Sequence, residues 1–198
     1  MLTRFRKKLR IGEKWDARTL LKLLYFNLVK INRFNIYEID LGTTFETAKS
    51  SMDEWDFRVI EHHELRNFRP PGDHPPREYY MNEIDGVRRC VVAVKDDTVA
   101  SISWLYLKGD PNRWFALNDR EAQVNYVYTF PAFRGKGLCG KTLMALAGWL
   151  KQKNYQRLLI EVHEGTGDMI SCLKKVPGVE QIGILTHWCF YRPKWSDG

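Results

Sequence analysis

The apolar positions of the chain change period along its length, and the changes divide it into strands and one long helix. From Asn35 to Leu41 (NIYEIDL) they alternate, with Tyr37, Ile39 and Leu41 on one side and Glu38 and Asp40 on the other, as in a half-buried strand. Phe57 to Ile60 predicts a second strand or a helix lead-in. Phe68 to Arg77 (FRPPGDHPPR) holds four prolines and a glycine, which forbid regular structure and predict a loop. Cys90 to Lys95 and Val99 to Leu107 are β-rich runs separated only by the polar Asp96-Asp97-Thr98, so they predict an antiparallel hairpin. Val124 to Phe130 (VNYVYTF) is a further strand. The period then lengthens, and Leu143, Leu146, Ala147 and Leu150 predict a helix from about Gly137 to Lys153. Arg157 to Val162 (RLLIEV), Ile182 to Leu185 and Trp188 to Tyr191 return to strand. Strand, helix and strand over residues 124–162 make one parallel βαβ unit. The expected architecture is α/β of the α+β kind, a mixed and mostly antiparallel sheet.

Composition adds little to this until charge is located. A chain of 198 residues, 44% of them hydrophobic, suits one globular domain with a real core. Its formal charge of +7 is concentrated at the start. Residues 1–33 hold ten Lys or Arg against Glu13 and Asp16, a local balance of +8, while the remainder stands at −1. Within this arm Leu20, Leu21, Leu24, Leu28 and Ile31 recur at helical spacing. Two readings stay open: a helix lying on an anionic membrane face, or an amphipathic helix docked on the core with its lysines solvated. The apolar run is too short to span a bilayer, and no secretory cleavage pattern follows the basic start. No nucleic-acid reading module accompanies the charge. The cysteines Cys90, Cys139, Cys172 and Cys189 show no zinc-ligand spacing with the five histidines. No metal is therefore expected, and the cysteines are read as reduced in a cytoplasmic protein. Glu61-His62-His63-Glu64 has metal-type residues, but adjacent positions do not share a face, so a solvated turn is expected.

The candidate chemistry lies in Gly135 to Thr142 (GKGLCGKT), which fits three phosphate-binding patterns. Gly135, Gly140, Lys141 and Thr142 spell the triphosphate loop G-x-x-x-x-G-K-[ST], and Gly135, Gly137 and Gly140 spell the dinucleotide fingerprint G-x-G-x-x-G. Shifted by one, Arg134, Gly137 and Cys139 approximate an [RQ]-x-x-G-x-[GA] loop. All three use a strand ending in glycines and a helix whose unpaired N–H groups face an anion. The triphosphate reading needs more strands than the 56 residues after Thr142 are expected to supply. The dinucleotide reading gains Glu161, about 20 residues beyond the last glycine, but Pro131-Ala132-Phe133-Arg134 separates strand from loop and no second nucleotide-binding half is visible.

Those intervening residues carry a resemblance. Tyr128 to Gly140 (YTFPAFRGKGLCG) resembles the motif of the GNAT superfamily of acyl-coenzyme A-dependent N-acyltransferases, in which a strand runs through x-V-x-P-x-x-R-G-x-G-[IL]-G into a helix. Pro131, Arg134, Gly135, Gly137 and Leu138 stand where that motif asks. The resemblance covers roughly residues 88 to 191, including the hairpin CVVAVKDDTVASISW and the strand RLLIEV. It implies a GNAT-like domain over residues 35–198, after a basic arm at 1–34, that moves an acetyl or other acyl group from acyl-coenzyme A to an amine. Backbone N–H groups of Val127, Tyr128 and Thr129 would hold the acyl carbonyl. Those of Arg134, Gly135, Lys136, Gly137, Leu138, Cys139, Gly140 and Lys141 would hold the pyrophosphate, with Arg134, Lys136 and Lys141 adding charge.

The chain departs from the family at four kinds of position. Cys139 replaces a small glycine or alanine, and Thr129 a valine. Gly167 and Lys174 stand where many members carry an asparagine and a tyrosine. Many relatives also place a glutamate base eleven residues before the loop arginine, where this chain has Gln123, an amide that takes no proton. Glu121, on the same strand face by alternation, is the first candidate base, and His163, an imidazole titrating near neutral pH, the second. The competing classes are a nucleotide-binding protein and a catalytically silent acyl-coenzyme A-binding module at the inner face of a membrane.

Overall fold

The computed structural model describes residues 31–42, 54–70, 72, 75–111, 114–188 and 194–197. The expected amphipathic arm, except for its last few residues, lies outside them. So do residues 43–53 and, apart from Trp188, the expected strand Trp188 to Tyr191.

Among the described residues eight strands form one sheet: β1 (Asn32–Asp40), β2 (Asp56–Glu61), β3 (Arg89–Lys95), β4 (Thr98–Tyr106), β5 (Glu121–Thr129), β6 (Arg157–His163), β7 (Val179–His187) and β8 (Lys194–Asp197). Their order is β2-β3-β4-β5-β6-β1-β7-β8. Every pairing is antiparallel except β5 with β6, which are joined by helix α2 (Leu138–Gln152). The hairpin, the βαβ unit and the mixed sheet all stand as the apolar pattern predicts. Between β3 and β4, Asp96 and Asp97 have φ of 49° and 59°, the left-handed pair that a two-residue hairpin turn requires. The ambiguous Phe57 to Ile60 is strand.

Two cores lie on opposite faces of the sheet. On one face Leu143, Leu146, Ala147 and Leu150 of α2 pack with Leu105, Val124, Leu158 and Ile160. On the other, Ile102, Trp104, Tyr106 and Leu159 meet Leu65, Met81 and Val87. Strands β3 and β4 are thus covered on both sides, which is why their apolar runs are nearly unbroken. The second face is closed by two 3-10 segments (His62–Asn67 and Arg77–Tyr80) and a short helix α1 (Met81–Asp85). Glu61 and Glu64 form a capping box on the first of these, so the Glu-His-His-Glu run shapes a chain turn. Trp104 donates its indole N–H to the Glu78 carbonyl at 2.6 Å, tying the layer to β4.

One expectation is overturned. Cys139 and Cys172 form a disulfide between α2 and helix α3 (Gly167–Leu173) across 33 residues of sequence. Sequence spacing does not reveal which helices lie side by side, and these two do. Cys90 is free and buried. Among the described residues no helix is long and apolar enough to cross a membrane.

Candidate active site

The glycine loop occupies the end of β5. After Thr129 the chain makes a single 3-10 turn, Pro131–Phe133, whose proline fixes its first position. Arg134 then folds back, its Nε donating to the Thr129 carbonyl at 3.0 Å while its guanidinium lies over the Tyr128 ring. Gly135 and Gly137 carry φ of +78° and +70°, conformations that cost a side-chain-bearing residue about 1–2 kcal/mol. Gly137 is the N-cap of α2. Its carbonyl accepts the N–H of Lys141 at 3.1 Å, so the amides of Leu138, Cys139 and Gly140 form the unpaired first turn. A Cβ placed on Gly135 or Gly137 would meet no heavy atom within 4 Å, so the loop borders open space.

Positive charge gathers beside this turn. Lys136 lies over the rings of Trp55 and Phe133, and Lys95, which also bonds Glu54 at 2.8 Å, lies over the Trp55 ring. That hydrogen bond holds the Glu54 carboxyl below its ordinary value and raises Lys95. Thr142, which a triphosphate loop would present to magnesium, is instead fully buried, with its hydroxyl 3.1 Å from that of Ser101. The triphosphate reading fails on that contact.

Strands β5 and β6 part beside the loop. Their parallel register runs from Glu121↔Arg157 to Val124↔Ile160 and stops. Across β5 the register with β4 shifts between Ile102 and Trp104, and Tyr126 adopts a φ of 54°. A bulge with one left-handed residue bends the strand away from its neighbour, and this one opens a fork whose β5 limb is Asn125 to Thr129. Val127, Tyr128 and Thr129 lie on that limb.

On the face away from α2 the fork opens into a cavity of about 240 Å³ lined by Phe34, Asp85, Tyr106, Pro111, Asn125, Tyr126, Glu161 and His163. Ala122 and Val124 point into the α2 core, so alternation turns Gln123 and Asn125 to the cavity side. Gln123 is fully buried. Its amide donates to Glu161 Oε2 at 3.2 Å and to Asn125 Oδ1 at 3.3 Å. Trp114 donates to Glu161 Oε1 at 2.8 Å, and Tyr126 donates its hydroxyl to Asp85 at 2.9 Å. Burial pushes the Tyr106 phenol above its ordinary range, so it stays neutral.

The three catalytic candidates from the sequence separate. Glu121 stands at the closed end of the β5–β6 pair, bonded to Arg157 Nη1 at 2.9 Å, while Arg157 Nη2 reaches Glu38 at 2.5 Å. It does not line the cavity. Gln123 approaches the cavity through Glu161, and His163 lines it, with Nδ1 accepting the Gly165 N–H at 3.0 Å. Asp85, Asn125 and Phe34 were not legible as a site, and the sequence offered Glu161 only as the ribose-binding acid of the dinucleotide pattern. Its second signal is that it follows three apolar strand residues at the C-terminal end of the parallel strand, where α/β sites gather. Among the described residues no three His, Cys, Asp or Glu side chains cluster as metal ligands.

A forked parallel pair, a bulge at the fork and a glycine-capped helix at its tip together define a GNAT-type acyltransferase fold. The sequence pattern of the Acetyltransferase (GNAT) family matches residues 57–176, well over half of the chain, and the protein belongs to that family. No curated protein matches it. Among solved structures it is similar to a GCN5-related N-acetyltransferase-like protein from Streptococcus suis, at 15% identity and TM-score 0.53 over 96% of this chain and 74% of that one. It is also similar to an acetyltransferase from the GNAT family of Colwellia psychrerythraea (12%, TM-score 0.51, 82% and 57%) and a GCN5-related N-acetyltransferase from Sphaerobacter thermophilus (11%, TM-score 0.51, 83% and 53%). At such identities the likeness is one of fold, and the chain spans little more than half the length of the last two.

Proposed function

We propose that the protein is an N-acyltransferase that moves an acetyl or other acyl group from acyl-coenzyme A to an amine. The observation that carries this reading is that β5, after leaving β6 beyond Val124, leads through the glycine loop into the glycine-capped N-terminus of α2. One extended ligand with an anion at the helix and a thioester between the strands would use both features. The unpaired amides of Leu138, Cys139 and Gly140, flanked by Arg134, Lys136 and Lys141, would hold the pyrophosphate. Backbone N–H groups of Val127 to Thr129 would hold the acyl carbonyl, where each donor to a developing oxyanion supplies roughly 3–4 kcal/mol.

Two buried polar atoms fit such a ligand. The hydroxyl of Ser103, opposite the bulge, and the indole N–H of Trp55, beside Lys95 and Lys136, have no hydrogen-bond partner. Burying either without one costs about 1–3 kcal/mol, which a ligand's amide or phosphate oxygens would offset. The amine enters from the opposite face, through the cavity carrying Asp85 and Glu161.

Thermal denaturation with acetyl-coenzyme A, ATP and NAD side by side tests the donor. A ligand at a hundred times its dissociation constant adds about 2.7 kcal/mol. Stabilisation by acetyl-coenzyme A alone is expected, and stabilisation by ATP or NAD alone would overturn the reading.

A further inference from the structure

We propose that Glu161 is the general base of the transfer, and that Gln123 and Trp114 are the residues that position it. This deepens the acyltransferase reading and rests on it. Glu161 is the first residue of β6 beyond the last paired position, Val124↔Ile160, so it stands at the apex of the fork on the cavity side. An acyl carbon held against the β5 limb and an amine entering from the cavity meet beside it. Its Oε1 accepts the Trp114 indole N–H at 2.8 Å and its Oε2 the Gln123 amide N–H at 3.2 Å, bonds that fix the plane of the carboxylate.

The other groups serve less well. Glu121 is held in the Glu38–Arg157 ion triad three residues behind the fork. His163 spends the Nδ1 lone pair on the Gly165 N–H, so its neutral ring carries the proton on Nε2 and offers the cavity a donor. Asp85 faces the cavity from α1, across from the fork, and takes the Tyr126 hydroxyl. Gln123 occupies the β5 position from which a carboxylate would reach the same space. As an amide it donates to the acid one strand over, so the base has moved from β5 to β6 while its direction of approach is kept.

The step balances as follows. The amine lone pair attacks the thioester carbon and forms the C–N bond. The Glu161 carboxylate takes the proton from that nitrogen. The C–S bond breaks with its electron pair on sulfur, and the thiolate is protonated from Glu161 through solvent, giving the amide and free coenzyme A.

The test follows free-thiol release from acetyl-coenzyme A between pH 5 and 9, with ethanolamine, putrescine, glucosamine, lysine and water alone as acceptors. Wild type, Glu161→Gln, Glu161→Asp and Gln123→Ala are compared, and coenzyme A affinity is measured by calorimetry on each. Glu161→Gln is expected to lower kcat by roughly 10²–10⁴-fold, with coenzyme affinity unchanged and the acidic limb of the pH profile gone. Glu161→Asp should recover part of the rate, and Gln123→Ala should shift that limb without abolishing it. A Glu161→Gln variant with wild-type rate and pH profile would overturn the assignment. Coenzyme binding by wild type with no protein-dependent thiol release would also overturn it and leave the donor reading standing. Failure to bind coenzyme A at all would overturn the acyltransferase reading itself.

Discussion

At Gly137 a φ of +70° and open space above the α-carbon coincide, so backbone strain and ligand contact can be separated there. Aspartate tolerates the left-handed region better than most residues, and its side chain has room. Gly137→Asp is therefore expected to fold, while its carboxylate competes with a phosphate for the first-turn amides of α2. Acetyl-coenzyme A affinity should fall roughly a hundredfold by calorimetry, about 2.7 kcal/mol, with the circular dichroism spectrum unchanged. Glu121 supplies the opposite case, a carboxylate with a structural task. Its side chain is 15% exposed beside an Arg157 that is 41% exposed, so solvent screens the pair. Glu121→Gln should lower stability to urea by about 1 kcal/mol or less and leave coenzyme affinity where it was. A change in affinity would place Glu121 nearer the ligand than its triad does.

At the scale of elements, the β3–β4 hairpin and the β5 bulge both use left-handed residues, for different ends. Asp96 and Asp97 close a turn whose twist matches its strands. Replacing Asp97, at φ 59°, with glycine removes a left-handed cost of about 1–2 kcal/mol against roughly 0.5–1 kcal/mol of added unfolded-state freedom. Stability is expected to rise by up to about 1 kcal/mol, readable as a higher urea midpoint at unchanged slope. Tyr126 instead bends β5 out of register with β4 and releases it from β6. Its strain is offset by the hydroxyl bond to Asp85, which ties the bulge to α1 across the cavity. Helix α2 is anchored twice near its N-terminus, by the Ser101–Thr142 hydroxyl contact against the sheet and by the Cys139–Cys172 link to α3.

The whole molecule buries several weak acids in their neutral forms. Burial raises the Cys90 thiol and the Tyr106 phenol and brings Tyr79 up to about 12. Each folded value exceeds the unfolded one, so between them the unfolded chain binds fewer protons than the native state and stability falls with pH. Their stabilising contribution is complete below about pH 9, the unfolded thiol range, and declines as pH rises from there towards 12. Urea denaturation at pH 8, 9.5 and 10.5 should give a progressively lower midpoint, and Tyr79→Phe should soften the decline above pH 10. A midpoint that held constant would mean these side chains reach solvent in the native state.

Local chemistry was enough for several features of this protein. Alternation placed Tyr37, Ile39 and Leu41 on one face of β1, proline and glycine marked the loop ends, and Pro131, Arg134, Gly135 and Gly137 carried the resemblance to the family that the chain belongs to. Each of these depends on residues within a few positions of one another, so sequence carries them intact. The insertion of β1 between β6 and β7, the fork after Val124 and the pairing of Cys139 with Cys172 depend on register and layer contacts between segments far apart in the chain. The candidate base belongs to this second group. Glu121 and Glu161 are both strand-end acids by pattern, and only the point at which β5 leaves β6 puts one in an ion triad and the other at the cavity.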